Sequence, residues 1–166
     1  MTSLRRDATV GRLGRAVAAV ESSSDGFLAA RMLGWALVLP VLKSVLPLEK
    51  LVRIMATDGR PGARDLRTER TIGTLARLTH RMVGVGRRDN CLERSLIAYR
   101  YLSATNADPR LVVGACRGET GIQGHVWLLV DGAPVHDTWE GIGRFAPVTA
   151  FRADGSTDAV GTVPVQ

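Results

Sequence analysis

Cysteine is scarce in this chain of 166 residues, which has only Cys91 and Cys116, 25 positions apart. Two cysteines do not make the framework of bridges that stabilises small secreted domains, and no Cys-x-x-Cys pair offers a zinc site. The three histidines, His80, His125 and His136, are also too irregularly spaced for a closed zinc pattern. We therefore expect a reducing, cytoplasmic setting and neither a metal nor another cofactor.

Lysine is almost absent, since Lys43 and Lys50 are the only two and arginine supplies the other 20 of 22 basic residues. The net charge of +6 describes solubility and association, and no helix carries a basic stripe with interleaved aromatic residues. We therefore expect no nucleic-acid partner. The chain has the length of one ordinary domain, and its composition, 45% hydrophobic and 23% charged, is that of a globular protein.

No uncharged run is long enough to span a bilayer. In the most apolar stretch, residues 27–48, Arg31 and Lys43 enclose only 11 uncharged residues, about half of the roughly 20 that a membrane span needs. Pro40 and Pro47 predict a pair of buried or partner-facing helices broken near each proline. The N-terminal residues lack the apolar core of a signal peptide, so we expect neither export nor membrane association. The alternative for residues 27–48 is a helix that lies on a membrane surface, since an apolar helix flanked by basic residues can bind there.

The sequence pattern changes near residue 86, from one typical of helices to one that includes strands. The run TDGRPGARDLR, residues 57–67, predicts an exposed connection, and apolar residues then recur at helical spacing until a pair of glycines. Further on, RLVVGACR, IQGHVWLLV and PVHDTW are typical of strands. The predicted fold class is α+β, with a helical N-terminal region, 1–85, and a core, 86–166, in which helix precedes antiparallel strands.

Cys91 occupies a position that suits a nucleophile. In NCLERSLIAYRYLS, Asn90 and Glu93 form a capping-box pattern that places Cys91 at the first position of a helix. The unpaired backbone N–H groups and the positive end of the helix dipole stabilise a thiolate there. They can also donate to the oxyanion that forms when the thiolate attacks a carbonyl. An unpaired cysteine is otherwise a small buried residue, and this is our interpretation of Cys116.

His125 and Asp137 supply the order and element types of a Cys-His-Asp triad. A two-residue loop, Asp131 and Gly132, would pair Asp137 with Val126 and put the carboxylate on the wrong face. A three-residue loop with Gly132 in the left-handed conformation would instead set His125 opposite Asp137, with Cβ atoms roughly 4.5–5.5 Å apart. The catalytic interpretation therefore predicts the bulged turn.

The same register assigns the neighbouring candidates. It sends His136 to the opposite face of the sheet, outside the triad. Trp127 shares the face of His125 and can roof the imidazole, which makes it a candidate for substrate contact. The alternative for Trp127 is an ordinary core residue.

The segments CLERSLIAYRYL, RLVVGACRG and GHVWLLVDGAPVHD resemble the transglutaminase-like protease module of lasso-peptide leader peptidases, the microcin-processing B-protein family. The shared pattern is Cys-Leu-x-Arg opening a helix, a Val-x-x-Gly strand, Gly/Ala-His-x-Trp, and an aspartate after Asp-Gly, over residues 86–140. The resemblance implies a transglutaminase-like, papain-like core with Cys91 as nucleophile, His125 as general base and acid, and Asp137 as the orienting carboxylate. It also implies hydrolysis of the bond between leader and core of a ribosomally made precursor peptide.

The resemblance further implies protein partners. Residues 1–85 do not look like a β-rich leader-recognition module, so we expect a separate recognition protein, docking on the helices around residues 27–56. A lasso cyclase would take the freed core amine. Two other functions stay open: a transglutaminase-like acyltransferase, in which an amine resolves the thioester, and a non-catalytic scaffold subunit of a maturation complex.

Overall fold

A computed structural model describes residues 23–57, 59, 63–83, 91–119 and 121–158. Helices precede an antiparallel sheet, so the predicted α+β class is confirmed. The helices are α1 (Ser23–Val45), α2 (Leu48–Met55), α3 (Leu66–Val83), α4 (Cys91–Ser103) and α5 (Trp139–Ile142). The strands are β1 (Arg110–Gly118), β2 (Gly121–Val130), β3 (Ala133–Pro134), β4 (Ala146–Phe151) and β5 (Thr157–Asp158).

The sheet has the strand order β3-β2-β1-β4-β5, and every neighbouring pair is antiparallel. Strands β1 and β2 form a long hairpin whose register runs from Arg110 opposite Leu129 to Gly118 opposite Gly121. Strand β3 is only two residues long, so it covers a small part of the outer edge of β2. That short edge strand leaves the half of β2 that carries His125 next to helix α4.

Helix α1 continues through Pro40, so the predicted break there is wrong. A proline inside a helix removes one backbone hydrogen bond and strains the preceding turn. Here the inner face of the helix compensates, because Met32, Ala36 and Leu39 are buried before Pro40 and the partly buried Leu42, after it, packs against the same core. The break does occur at Pro47, whose extended backbone (φ −65°, ψ 153°) precedes α2.

Two hydrophobic clusters cover the two faces of the sheet. The larger one lies under the helices and runs from Met32 in α1 to Phe151 in β4. The smaller one, on the opposite face, contains Val112, Trp127, Leu129, Ile142, Phe145 and Ala150. The larger cluster therefore joins the helical region and the sheet in one core. The predicted division at residues 85 and 86 itself lies outside the described residues.

The turn between β2 and β3 differs from the predicted one. Val130 pairs with Ala133, so the loop is the two residues Asp131 and Gly132, and the predicted bulged turn is wrong. Both residues have positive φ, 53° and 75°, as a type I′ turn requires. The predicted strand PVHDTW is also too long, since the ladder ends at Pro134 and the chain bends away after one more hydrogen bond.

Gly114 on β1 gives a test of this packing. A Cβ at Gly114 would lie 2.6 Å from Cη2 of Trp127 and 2.9 Å from the carbonyl oxygen of Ala146. Because the Trp127 ring is buried, we expect Gly114→Ala to lower the free energy of unfolding in urea, by about 1–3 kcal/mol. Gly34→Ala is the control: it adds a Cβ with nothing within 4 Å inside α1, and should raise stability by roughly 0.5–1 kcal/mol. Unchanged stability of Gly114→Ala would contradict the packing.

Candidate active site

Three side chains meet at the open edge of β2. Cys91 is the first residue of α4, His125 lies within β2, and Asp137 follows β3 in a bend. Nε2 of His125 is 3.3 Å from Oδ1 of Asp137, and the imidazole also forms a hydrogen bond with the thiol of Cys91. The structure therefore brings the three predicted residues together in the order thiol, imidazole, carboxylate.

The backbone of β2 fixes the helix that carries the thiol. Leu128 turns its carbonyl toward the outer edge of the sheet, where it accepts from Val135 N–H at 3.0 Å. Backbone groups of an antiparallel strand alternate between its two sides, so Val126 faces the same edge. Its carbonyl accepts from Oγ of Ser95 at 3.1 Å, and its N–H donates to the sulfur of Cys91. Helix α4 thus occupies the position that a longer β3 would fill.

The thiol of Cys91 is poised to ionise. Burial alone raises its pKa, but hydrogen bonds with His125 and with the N–H groups of Val126 and Leu92 outweigh this effect. The net pKa of Cys91 is below that of an ordinary thiol. Hydrogen-bond donors stabilise the thiolate, which is the nucleophilic form of cysteine.

The imidazole is correspondingly basic. Hydrogen bonds first to Asp137 and then to Cys91 raise the pKa of His125 to about 9, despite partial burial. Burial raises the pKa of the Asp137 carboxyl, but the contacts with His125 and Arg94 lower it by more than burial raises it. Its net pKa is therefore below the usual value. The lowered pKa of Cys91 and the raised pKa of His125 both shift the pair toward thiolate and imidazolium, and the Asp137 carboxylate supports the imidazolium from the other side.

Two aromatic rings hold the imidazole on the face of the sheet away from α4. The ring centroids of Phe145 and Trp127 lie 5.0 and 6.1 Å from that of His125, nearly parallel to it. Trp127 is 2% exposed and belongs to the smaller core cluster. Its ring supports His125 from within that cluster, and its substrate contact stays a prediction. Phe145 follows α5, just before β4.

Arg94, the arginine of the Cys-Leu-x-Arg pattern, joins the candidate site, although the pattern alone assigns it no role. Its Nη2 lies 3.1 and 3.0 Å from the two carboxylate oxygens of Asp137. Both side chains are mostly buried, with 20% and 15% of their surface exposed, so solvent screens the pair only in part. The available signal was spacing, because Arg94 lies three residues after Cys91 and hence on the same helix face.

Glu93, the expected capping-box partner, has a different contact. Its buried carboxylate is bound by Nζ of Lys43, so it connects α4 to α1. Asn90, the other half of the predicted box, lies outside the described residues. Cys91 is nevertheless the first helical residue, as the pattern predicts.

The remaining candidates lie apart from the thiol. His136 turns toward α3, where burial, followed by the charges of Arg94 and Arg77, lowers its pKa to about 4. Cys116 is half-buried and lines an open groove of about 690 Å³ at the far end of β1 and β2. The side chain of His80 lies outside the described part of the chain. Among the described residues, no group of three His, Cys, Asp or Glu side chains suits a metal ion.

The raised pKa of His125 predicts a bell-shaped pH dependence of kcat/KM. Thiolate formation sets the acid limb, and loss of the imidazolium proton, with a pKa of about 9, sets the alkaline limb. Asp137→Asn removes the largest cause of the raised pKa. We therefore expect it to shift the alkaline limb to lower pH and to reduce kcat/KM roughly 10²-fold or more. An unshifted alkaline limb would contradict the assigned contact.

Arg94→Gln tests positioning separately from charge. The carboxylate of Asp137 keeps its charge in this variant but loses the arginine that holds both its oxygens. We expect kcat to fall roughly tenfold or more while the alkaline limb stays at or above its original pH. Arg70→Gln, on the exposed surface of α3, is the control and should leave the profile unchanged. A downward shift of the limb in Arg94→Gln would show that the arginine acts in some other way.

Comparison with known proteins gives one match. A family model described as the transglutaminase-like superfamily matches residues 29–150, about three quarters of the chain. The matched segment runs from α1 to β4 and contains Cys91, His125 and Asp137. No curated protein and no solved structure matches the sequence. The match agrees with the predicted fold, a papain-like α+β core that follows N-terminal helices.

Proposed function

Because the chain belongs to the transglutaminase-like superfamily, which includes cysteine proteases and acyltransferases, we propose that it is a cysteine peptidase. The observation that carries the proposal is the continuous series of hydrogen bonds from Cys91 through His125 to Asp137. A thiol that is merely structural does not need a lowered pKa, a basic imidazole and a buried carboxylate behind it.

The proposed reaction has two steps. In the first, the Cys91 sulfur bonds to the carbonyl carbon, electrons move to the carbonyl oxygen, and backbone N–H groups at the start of α4 can donate to that oxyanion. The imidazolium of His125 then gives its proton to the leaving amine as the C–N bond breaks. In the second, His125 takes a proton from water, which attacks the thioester and releases the carboxylate and the thiol. Asp137 and Arg94 hold the ring in position throughout.

The proposed substrate is the precursor of a lasso peptide, cut between leader and core. The support for this finer assignment is the resemblance of residues 86–140 to the leader-peptidase pattern. The freed core amine would be the nucleophile that a lasso cyclase uses to close the ring. We place the reaction in the cytoplasm, and the two unpaired cysteines are compatible with a reducing compartment.

Cys91→Ala tests the peptidase proposal against its alternatives. We expect the rate at which a lasso-peptide precursor is cleaved to fall at least roughly 10³-fold, with an unchanged melting temperature. Cys116→Ala is the matched control, because that thiol lies outside the hydrogen-bonded series, and it should retain activity. Unchanged cleavage by Cys91→Ala would favour a scaffold subunit.

Water labelled with oxygen-18 distinguishes hydrolysis from acyl transfer in the same assay. Hydrolysis places the label in the new carboxylate, whereas attack by an amine yields an unlabelled amide. Mass spectrometry of the fragments reads both outcomes.

A row of exposed apolar side chains on the outer face of α1 is the proposed docking surface for a leader-recognition protein. Leu37, Val41 and Val45 are 61–67% exposed and recur every four residues along the helix. Asp25–Val45 is also long and apolar enough to cross a membrane, and only 17% of its most apolar 18-residue window is buried. The inner face of this helix, however, packs into the core, and its Lys43 binds Glu93. Insertion of the helix into a membrane would therefore expose the core and leave the buried Glu93 without its cation. A protein partner on the outer face requires no such rearrangement.

The docking surface is tested with the double variant Leu37→Ser and Val41→Ser. Both positions are exposed, so we expect intact folding and unchanged cleavage without the partner, but a loss of roughly tenfold or more in partner-stimulated cleavage. Val148→Ser, at an equally exposed apolar residue of β4, is the control. Equal stimulation of variant and parent would exclude this surface, and a selective loss of vesicle binding would point to a membrane instead.

A further inference from the structure

The outer edge of β2 is only partly used by the described residues. β3 pairs with Leu129 and Val130, whereas β2 extends back to Gly121, and residues 121–124 are exposed. Folded proteins commonly protect an open edge with proline, lysine or a bulge, because it is a template for another strand. The segment GIQGH, residues 121–125, contains neither proline nor lysine, and its register with β1 is uninterrupted.

The backbone groups of Gly124 face this open edge. Leu128 and Val126 turn their backbone groups toward it, as their hydrogen bonds with Val135 and Ser95 show. By the two-residue alternation of the strand, Gly124 presents its N–H and carbonyl to the same side, about 7 Å along β2 from Val126. Val126 is the residue whose N–H contacts the Cys91 sulfur. A donor and an acceptor for an extended chain therefore lie one strand repeat from the nucleophile.

The fold itself does not require glycine at position 124. Its φ is not in the left-handed region, and an added Cβ would meet only the carbonyl oxygen of Gly114, at 3.9 Å. Gly114, by contrast, is forced by the Trp127 ring. The bare backbone of Gly124 instead leaves space on the side of the sheet where Val126 and α4 lie.

Ile122 adds an apolar contact at the same edge. It is 86% exposed, the highest value among the large exposed hydrophobic side chains of the described residues. Ile122, Gly124 and Val126 alternate with residues of the other face, so they share one side of β2. An isoleucine held in water at this position offers a surface to an apolar side chain of a bound chain.

We propose that the edge of β2 from Ile122 to Gly124 binds the substrate as an added β-strand. The peptide pairs its backbone with Gly124, rests an apolar side chain on Ile122, and thereby brings its scissile carbonyl to Cys91. The ligand is a polypeptide in extended conformation with an apolar residue near the cleaved bond, a mode of recognition that depends on main-chain hydrogen bonds. This inference rests on the proposed peptidase function and adds the substrate site to it.

The first test is Gly124→Pro with a synthetic peptide that spans the leader–core junction, and Gly124→Ala is its control. Proline removes the N–H that faces the open edge, which the ladder with β1 does not use, so we expect KM to rise roughly tenfold, about 1.4 kcal/mol. Alanine keeps that N–H and points its Cβ off the plane of the sheet, so its KM should stay unchanged. The rate at which iodoacetamide alkylates Cys91 should stay constant, since this small reagent needs no strand site. An unchanged KM of Gly124→Pro would overturn the inference.

The second test probes the two contacts separately. Ile122→Ser should raise KM for the same peptide, whereas Val148→Ser, the matched exposed residue on β4, should not. Single backbone N-methyl groups placed along the peptide should abolish cleavage at the position that donates to Gly124, because methylation removes that donor. Uniform tolerance of N-methylation would exclude strand pairing.

Failure of the peptidase proposal is distinguishable from failure of the strand site. Binding of the uncleaved peptide is measured by fluorescence anisotropy on the Cys91→Ala protein, with and without Gly124→Pro. If wild-type protein cleaves nothing but Gly124→Pro weakens binding roughly tenfold, the edge binds peptide and only the chemistry is wrong. Equal affinity of the two proteins overturns the strand site whether or not cleavage occurs.

Discussion

The seating of α4 on the unpaired edge of β2 is the constraint on which the candidate site depends. Val126 hydrogen-bonds the helix twice, through Ser95 and through Cys91, at a place where a sheet would normally continue with another strand. The shortness of β3 therefore makes room for the candidate site, since two more paired residues would occupy the position of the helix. The edge of β2 and the start of α4 contribute backbone donors here, which assist His125 in stabilising a thiolate.

Asp137 links the two halves of the site electrostatically. Its carboxylate receives His125 on one side and Arg94 on the other, and both contacts keep it ionised although it is largely buried. A buried carboxylate with a single partner would be costly to ionise, whereas one with a cation and an imidazole is stable. Because Arg94 and Cys91 share α4, the helix that brings the nucleophile also brings the group that holds the acid.

Local sequence patterns singled out the three residues that meet in the candidate site, but they did not predict the turn that connects His125 to Asp137. The apolar strands, the helix that begins at Cys91 and the α+β class were all legible from local patterns. The turn was not, because the argument required His125 and Asp137 to be register partners, whereas the Asp131-Gly132 pair is itself a strong type I′ signal. The two side chains meet only because the chain leaves the ladder after Pro134, where strand parity no longer applies.

The contacts of Arg94 and Phe145 were out of reach for a related reason. Each depends on where α4 and the segment after α5 pack in three dimensions, which spacing along the chain does not determine. Helix α1 likewise tolerates Pro40 because of its buried neighbours, a tertiary effect that overrides local propensity.

Because Asp137 lies in a bend after β3, the length of the preceding turn can vary without moving its carboxylate. A carboxylate fixed by strand pairing would swing to the wrong side whenever the turn gained or lost one residue. Here an arginine on a helix and the bend after Pro134 place the carboxylate, and neither depends on the tip at Asp131 and Gly132. Insertions at that tip are therefore expected to be evolutionarily neutral for the chemistry, even though they lie only a few residues from it.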